Sequence, residues 1–322
     1  MSLKIKFCCR RRQKPFYTAP QKIISQGDDL LYSYDKSVIS LQKNIHVLTN
    51  TIRIGILDNT VAQQNARILE AAFSALEIPS ELVLIADQTA LLLGDVDVLA
   101  IPMAQLPPFL PEGWKIGAVS ERLDPAEVLL LKTGTPGSDH LFGLPTGAVV
   151  GCSSPLQLVQ FHEFRPDLEL ILTAPGLQDP LELFSEGISG LIFPAHSLVS
   201  FSPDPAQFKV IRLHPSEMVP YPAQGVMAWI VNVWDLPVRR LLRRIHHPEV
   251  SAVTNIERMA LRLLPPETYA AFGACCYRDN HGNFHVHGVL VPPDRGALKR
   301  ASLSSSTSFR LAERLVNALT TG

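Results

Sequence analysis

The chain lacks any apolar run of the ~20 residues that a membrane-spanning helix needs, so nothing in it argues for a bilayer. It also lacks a surplus of charge. The formal net charge is −1 over 322 residues, so no global field recruits nucleic acid or an anionic lipid surface. The opening residues MSLKIKFCCRRRQK carry no apolar core and no cleavage site, and do not read as a secretory signal. Cysteine is scarce. The five are Cys152 and two adjacent pairs, Cys8-Cys9 and Cys275-Cys276, with no Cys-x-x-Cys. Adjacent cysteines rarely bridge each other, which excludes a disulfide framework and points to a reduced, cytoplasmic protein. There is no phosphate loop, dinucleotide fingerprint, G-x-S-x-G elbow or internal repeat.

What is present is apolar and punctuated. Hydrophobic residues make up 46 % and charged residues 18 %, enough for two or three domains with real cores. Residues 1–50 show no sustained period and read as an extension, with a basic run at Arg10, Arg11, Arg12 and Lys14 that suits a solvated turn. Residues 51–57 (TIRIGIL) form a strong strand, and Asp58 or Asn59 then caps a helix with Ile68, Leu69, Ala72, Phe73 and Leu76 on one face. Strands follow at 81–86 and 96–101. Such strand–helix–strand units predict a parallel sheet. A second unit opens at Ala148-Val149-Val150-Gly151, and Ser153-Ser154-Pro155 starts its helix with proline at the first position. After a return segment at 220–231 come two helices, a hairpin across Asp279-Asn280-His281-Gly282 and a closing helix. The expected fold is α/β, with two lobes plus a small α+β C-terminal domain. The lobes are 51–135 with 214–234, and 136–213; the last domain is 235–322.

Residues 97–125 organise the rest. They read as an all-apolar strand, a proline-rich loop, a second strand and then Glu121-Arg122-Leu123-Asp124-Pro125. A loop that follows a buried strand of an α/β sheet is where such folds place ligands. The pattern P-x-G-x-x-I-G-A-V-x-E-R-x-D-P ending at Pro125 resembles a signature of the hydroxymethylbilane synthase (porphobilinogen deaminase) family. Other fragments fall in that family's order. They are Arg53-Ile54-Gly55, Leu144-Pro145-x-Gly147, Ser153-Ser154, Arg165-Pro166-Asp167-Leu168, Glu217-x-x-Pro220-x-x-x-Gln224-Gly225 and Glu257-Arg258. The resemblance implies two periplasmic-binding-protein-like lobes around a cleft, and a third domain carrying a thioether-linked dipyrromethane primer. It also implies the reaction: porphobilinogen units joined head to tail with loss of ammonia. Ser153, Ser154, Gln224 and Gly225 become the candidate substrate contacts.

The chemistry that the resemblance implies is not matched residue by residue. The family's H-S-x-K-D-x-P supplies an aspartate to stabilise a cationic azafulvene and manage protons. The same frame here is Ile101-Pro102-Met103-Ala104-Gln105-Leu106-Pro107, with Gln105 at the acid position. Glutamine has no titratable proton. The substrate's acetate and propionate groups call for arginines; the matching positions hold Leu57, Pro155, Leu156 and Gln157, and the segment near 175–180 has none. The primer cysteine's position falls at or near Thr268, with Cys275 and Cys276 further on, where a small core side chain suits them. A glycine- and lysine-rich mobile segment is implied where only residues 87–95 stand.

The expectation is a tetrapyrrole-linked family member that is catalytically degenerate, acts in binding or as a scaffold, and has no cofactor. The alternative is an active transferase with relocated groups: Cys275 or Cys276 carrying dipyrromethane, Glu121 or Asp124 as the acid. A third reading is a small-molecule binding protein with Ile101, Met103, Gln105, Leu156 and Gln157 lining the inter-lobe cleft. His285-x-His287 share one strand face but have no third ligand nearby except His281, so they read as surface histidines rather than metal ligands. His246-His247 read as protonated residues suited to the dipole at the end of a basic helix. No nucleic-acid or membrane partner is expected.

Overall fold

The computed structural model describes residues 51–321, apart from short segments at 58–59, 87–90, 92–93, 135–140, 174–182, 185–186, 200–201 and 293–296. The expectations for residues 1–50, for the cap at Asp58 or Asn59, for most of 87–95 and for the segment near 175–180 lie outside the described residues.

The first lobe is a five-stranded sheet in the order β2-β1-β3-β10-β4. Its strands are β1 (Ile52–Leu57), β2 (Ser80–Ile85), β3 (Val98–Pro102), β4 (Trp114–Val119) and β10 (Met227–Asn232). Helix α1 (Thr60–Ala75) joins β1 to β2 and places Ala66, Leu69 and Phe73 in the core with Ile54, Val98 and Trp229. The second lobe repeats the arrangement as β7-β6-β8-β5-β9. It uses β5 (Glu127–Lys132), β6 (Val149–Cys152), β7 (Glu169–Leu172), β8 (Gly190–Pro194) and β9 (Phe208–Leu213), with α2 (Pro155–Phe164) between β6 and β7. The fold is α/β, with two lobes that share one strand order, as expected.

The sheets are mixed rather than parallel, which corrects the expectation from strand–helix–strand units. Strands β1, β2 and β3 run parallel, as do β6, β7 and β8. The fourth strand of each sheet is antiparallel and is lent by the other lobe's stretch of chain. β5 follows β4 directly but pairs antiparallel with β8 and β9; β10 returns after β9 and pairs antiparallel with β3 and β4. Apolar runs such as β10's reveal burial on both faces, not direction. Two crossing segments result, 120–126 and 214–226, and they are bonded to each other. Leu123 N–H donates to the Gly225 carbonyl at 2.8 Å, and Ser120 N–H to the Met227 carbonyl at 3.0 Å. Gly225 sits at φ +78°, where a Cβ would lie 2.7 Å from the Leu123 oxygen, so only glycine lets the strands meet this closely.

The third domain is an antiparallel sheet of β11 (Phe272–Arg278), β12 (Phe284–Leu290) and β13 (Lys299–Ser305). Two helices cover one face, α4 (Pro248–Leu263) and α5 (Leu311–Thr320), with Ile256, Leu261, Val286 and Leu315 in the core between. The short helix α3 (Leu236–Leu242) leads into it, capped by the Asp235 carboxylate on Val238 N–H at 3.2 Å.

Candidate functional site

The matched motifs first explain how the cleft is built. Arg165 donates to the Asp167 carboxylate (2.6 and 2.7 Å) and to the carbonyls of Leu141 and Leu144, so R-P-D-L staples the loop before β6. Arg122 grips Glu257 at 2.7 Å and also reaches the carbonyls of Gln224 and Cys276. Glu257 is fully buried and takes two further donors, the N–H groups of Ala223 and Cys276, both at 2.6 Å. This carboxylate thus ties both crossing segments to the third domain. Arg258 donates to the carbonyls of Met103, Leu106 and Pro107, and holds the loop after β3 against α4. Burial, then the neighbouring Arg262 charge, brings the Arg258 guanidinium down to about 10. Asp124 caps Ala126 N–H and pairs with Arg212 at 2.6 and 2.8 Å, which holds its carboxyl below the ordinary value.

A cavity of about 690 Å³ lies between this loop, the crossing segments and the second lobe. Its walls include Pro102, Ala104 and Gln105 from the β3 loop, and Glu121, Leu123, Gln224 and Gly225 from the crossings. Pro194 and His196 face them, and Trp229, Ile245, His247 and the outer residues of α1 extend the cavity along the first lobe. Among the described lining residues there is no lysine and no arginine. Among the described residues Arg122, Arg212 and Arg258 are held by the structural partners just named.

The expected site residues divide. Gln105 is exposed and lines the cavity, on the short turn Met103–Gln105 that ends β3. Gln224 and Gly225 line it too. Ser153 and Ser154 do not: Ser154 accepts from Gln157 N–H as the cap of α2, and Ser153 donates to the Gln157 side-chain oxygen. Ile101 and Met103 are core, Leu156 packs with Val219, Cys275 and Val289, and Gln157 is buried, so these four do not line the cavity as expected. Apolar character near the cleft drew them in; a strand end and a capped helix end turn them away.

His246 and His247 also differ. The Nδ1 atom of His246 accepts from Val119 N–H at 3.3 Å and burial lowers its pKa, so it is not a protonated helix-end residue. His247 precedes α4 and lines the cavity. His285 bonds Asp279 at 3.0 Å and stacks under Tyr277, and no group of three or more candidate metal ligands occurs among the described residues.

Three residues were not singled out from the sequence. Glu127 is fully buried and, among the described residues, meets two amide donors, Gln157 at 2.8 Å and Gln224 at 3.1 Å. Burial outweighs both and pushes its carboxyl up to about 7. The signal was there: a carboxylate opens the strand Glu127–Lys132 directly before the apolar run Val128–Leu131. His196 has an Nδ1 with no partner among the described residues, and burial followed by the Arg122 charge holds its pKa down. The Trp229 indole N–H is likewise unpartnered among the described residues. Neither has a sequence signal.

Residues 82–238 match the family model described as "Porphobilinogen deaminase, dipyromethane cofactor binding domain". A porphobilinogen deaminase of Thermus thermophilus is 32 % identical over 223 residues, 69 % of this chain and 72 % of that protein. One of Acidothermus cellulolyticus is 32 % identical over 244 residues, 72 % of this chain and 71 % of that protein. Among solved structures, the periplasmic VFT2 domain of Bordetella pertussis BvgS is similar at 10 % identity and TM-score 0.40, over 68 % of this chain and 97 % of that one. An ancestral cationic amino acid solute binding protein is similar at 14 % and 0.40, over 63 % and 93 %.

The match corrects the expectation of no cofactor, since the domain is described by the dipyrromethane it binds. The described residues do not fit the covalent, arginine-clamped form that the resemblance implies. Thr268 is buried, with its hydroxyl donating to the Pro265 carbonyl at 2.7 Å. Cys152 and Cys275 are buried and pushed up to about 12, chiefly by burial; Cys276 is raised for the same reason. None of these three presents a thiolate to the cavity, and four carboxylates of a dipyrromethane would meet no lysine or arginine among its described walls.

Proposed function

The chain belongs to the porphobilinogen deaminase family of tetrapyrrole synthesis, and from that premise we propose that this member binds a small molecule in the cleft and does not polymerise porphobilinogen. The observation that carries the proposal is the cavity wall. In the frame that the resemblance supplies Gln105 stands at the acid's position, and no described lining residue is a lysine or an arginine. With an amide in place of the loop's aspartate the azafulvene cation lacks the partner that the family supplies there, and a porphobilinogen carrying two carboxylates would meet Glu121 and no lysine or arginine in the described wall.

What remains is what a binding protein needs. Two lobes face each other across paired crossing segments, and the loop at the end of β3 is clamped by Arg258. Ser153 and Ser154 shape the α2 terminus in this reading, while Gln224 and Gly225 contribute to the wall. A cytoplasmic location belongs to the proposal. The division into lobes at 51–135 with 214–234 and at 136–213, followed by a domain at 235–322, belongs to the proposal, with the amendment that β5 (Glu127–Lys132) pairs in the second lobe's sheet.

A second reading keeps a transferase, because Glu121 is exposed and lines the cavity. It needs Cys275 or Cys276 to leave its buried position. Incubating the purified protein with porphobilinogen and measuring hydroxymethylbilane separates the two. The proposal expects no product, from the wild type or from Gln105→Asp, since the cations are still missing. Product from the wild type would overturn it.

A further inference from the structure

We propose that Ser304, His285 and Asp279 form a second site, on the third domain, where Ser304 is a nucleophile that takes the acyl group of an activated aryl ester. The site needs nothing from the cleft. Phe284 and Val286 of β12 face the helices, so His285 between them lies on the other face of the sheet. In register it stands opposite Ser304 of β13 and Tyr277 of β11. Ser304 Oγ is 2.8 Å from His285 Nδ1, and His285 Nε2 is 3.0 Å from Oδ2 of Asp279. A hydroxyl bonded to a base, with that base held by a third group, is the arrangement that activates a nucleophile.

Asp279 fixes where the protons sit. Its Oδ1 accepts from the N–H groups of His281 and Asn283, both at 2.9 Å, and its Oδ2 accepts from the Asn283 amide at 3.1 Å. The bond from His285, then those from Asn283, hold this carboxyl well below the ordinary carboxylate range. An ionised carboxylate only accepts, so Nε2 carries the imidazole proton. In the neutral ring Nδ1 is then the acceptor, and Ser304 donates to it. The neighbouring pair is a built-in comparison. Ser302 is exposed like Ser304 and lies 2.8 Å from His287 Nδ1, but His287 Nε2 meets no carboxylate among the described residues.

The surroundings suit an aryl ester. Tyr277 is 45 % exposed and stacks on His285 with ring centroids 5.0 Å apart, an aromatic flank for the leaving group. Strand β13 is the edge of its sheet, so alternate N–H groups along it face away from β12 and offer donors to the oxyanion that forms at the carbonyl. In the step, Ser304 Oγ bonds the carbonyl carbon while His285 Nδ1 takes its proton. The bond from that carbon to the aryl oxygen breaks, and Nδ1 returns the proton to the leaving aryloxide. Water then displaces the acyl group by the same route and frees Ser304 and a carboxylic acid.

The test incubates the full chain with 4-nitrophenyl acetate at neutral pH, quenches in acid and maps acetylated peptides by mass. Ser304 should be acetylated at least about tenfold faster than Ser302. Ser304→Ala and His285→Gln should each remove that acetyl group, and Ser302→Ala should leave it unchanged. Asp279→Asn keeps an oxygen for the turn's N–H groups but sets an amide donor against Nε2. The imidazole proton then moves to Nδ1, and Ser304 loses its acceptor. Its acetylation should fall at least about tenfold, and should keep rising with pH where the wild type has levelled off, because hydroxide must take the proton. Circular dichroism should stay that of the wild type. No acetyl group on Ser304 of the wild type, equal rates at Ser304 and Ser302, or a Ser304 rate and pH profile unchanged by Asp279→Asn or His285→Gln would each overturn the proposal.

Discussion

Glu127 gives the sharpest stability prediction. Its carboxyl is fully buried where the chain crosses from the first lobe to the second, and among the described residues its partners are the amides of Gln157 and Gln224, with no cation. The Gln157 amide is fixed in orientation because its oxygen accepts from Ser153 N–H, Ser153 Oγ–H and Ser154 N–H at 2.8–3.2 Å. Folding raises the carboxyl from the ordinary 4.5 to about 7. Between those two values the folded chain holds a proton that the unfolded chain has released. Stability therefore falls as pH rises through this window, and the penalty is complete above it. At about 1.4 kcal/mol per pH unit, the full loss is on the order of 3 kcal/mol. In Glu127→Gln nothing titrates at this position. The variant carries a pH-independent offset, because its amide N–H₂ faces an amide donor. Urea unfolding of both proteins from pH 4 to 8 isolates the effect, since all other titrating groups cancel in the difference. The variant should gain about 3 kcal/mol relative to wild type from the acid end to the alkaline end. A flat difference across the range would refute the reasoning.

Other predictions follow from the same crossing. Ala223 sits at φ +64°, and left-handed backbone costs a non-glycine residue about 1–2 kcal/mol. Ala223→Gly should therefore stabilise by about 1 kcal/mol after the entropy it adds to the unfolded chain, read as a higher Tm. Glu257→Gln removes the charge facing the buried Arg122 and should cost about 3–5 kcal/mol in chemical denaturation; a loss under 1 kcal/mol would show that Arg122 finds other partners. Peptide-mapped alkylation with iodoacetamide at pH 8 should leave Cys152, Cys275 and Cys276 unlabelled in the native protein and label all three in urea.

The sequence made much of the scaffold legible, because scaffold is periodic or signed by motifs. Strand 51–57, the proline-started helix after Ser154 and the hairpin across Asp279-Asn280-His281-Gly282 all stand where expected. The motifs Glu121-Arg122, Arg165-Pro166-Asp167 and Glu257-Arg258 proved to be ties between segments far apart in the chain. Strand direction was not legible, since β5 and β10 look the same from either end and only the tertiary pairing sets their sense. The site was half legible. Gln105, Gln224 and Gly225 reach the cavity because a strand end and a tight crossing place them there. Leu156 and Gln157 were drawn towards the cleft by character alone, but the capped start of α2 turns one into the third-domain contact and the other towards Glu127. Trp229 and His196 reach the wall through the tertiary fold, which the sequence does not display.

The central claim is that the family's cleft is kept while its charge for a carboxylated substrate is gone. Titration calorimetry of porphobilinogen into the full chain at low ionic strength tests it most directly. The account predicts no saturable heat up to millimolar ligand. Saturable micromolar binding that weakens with salt would contradict it.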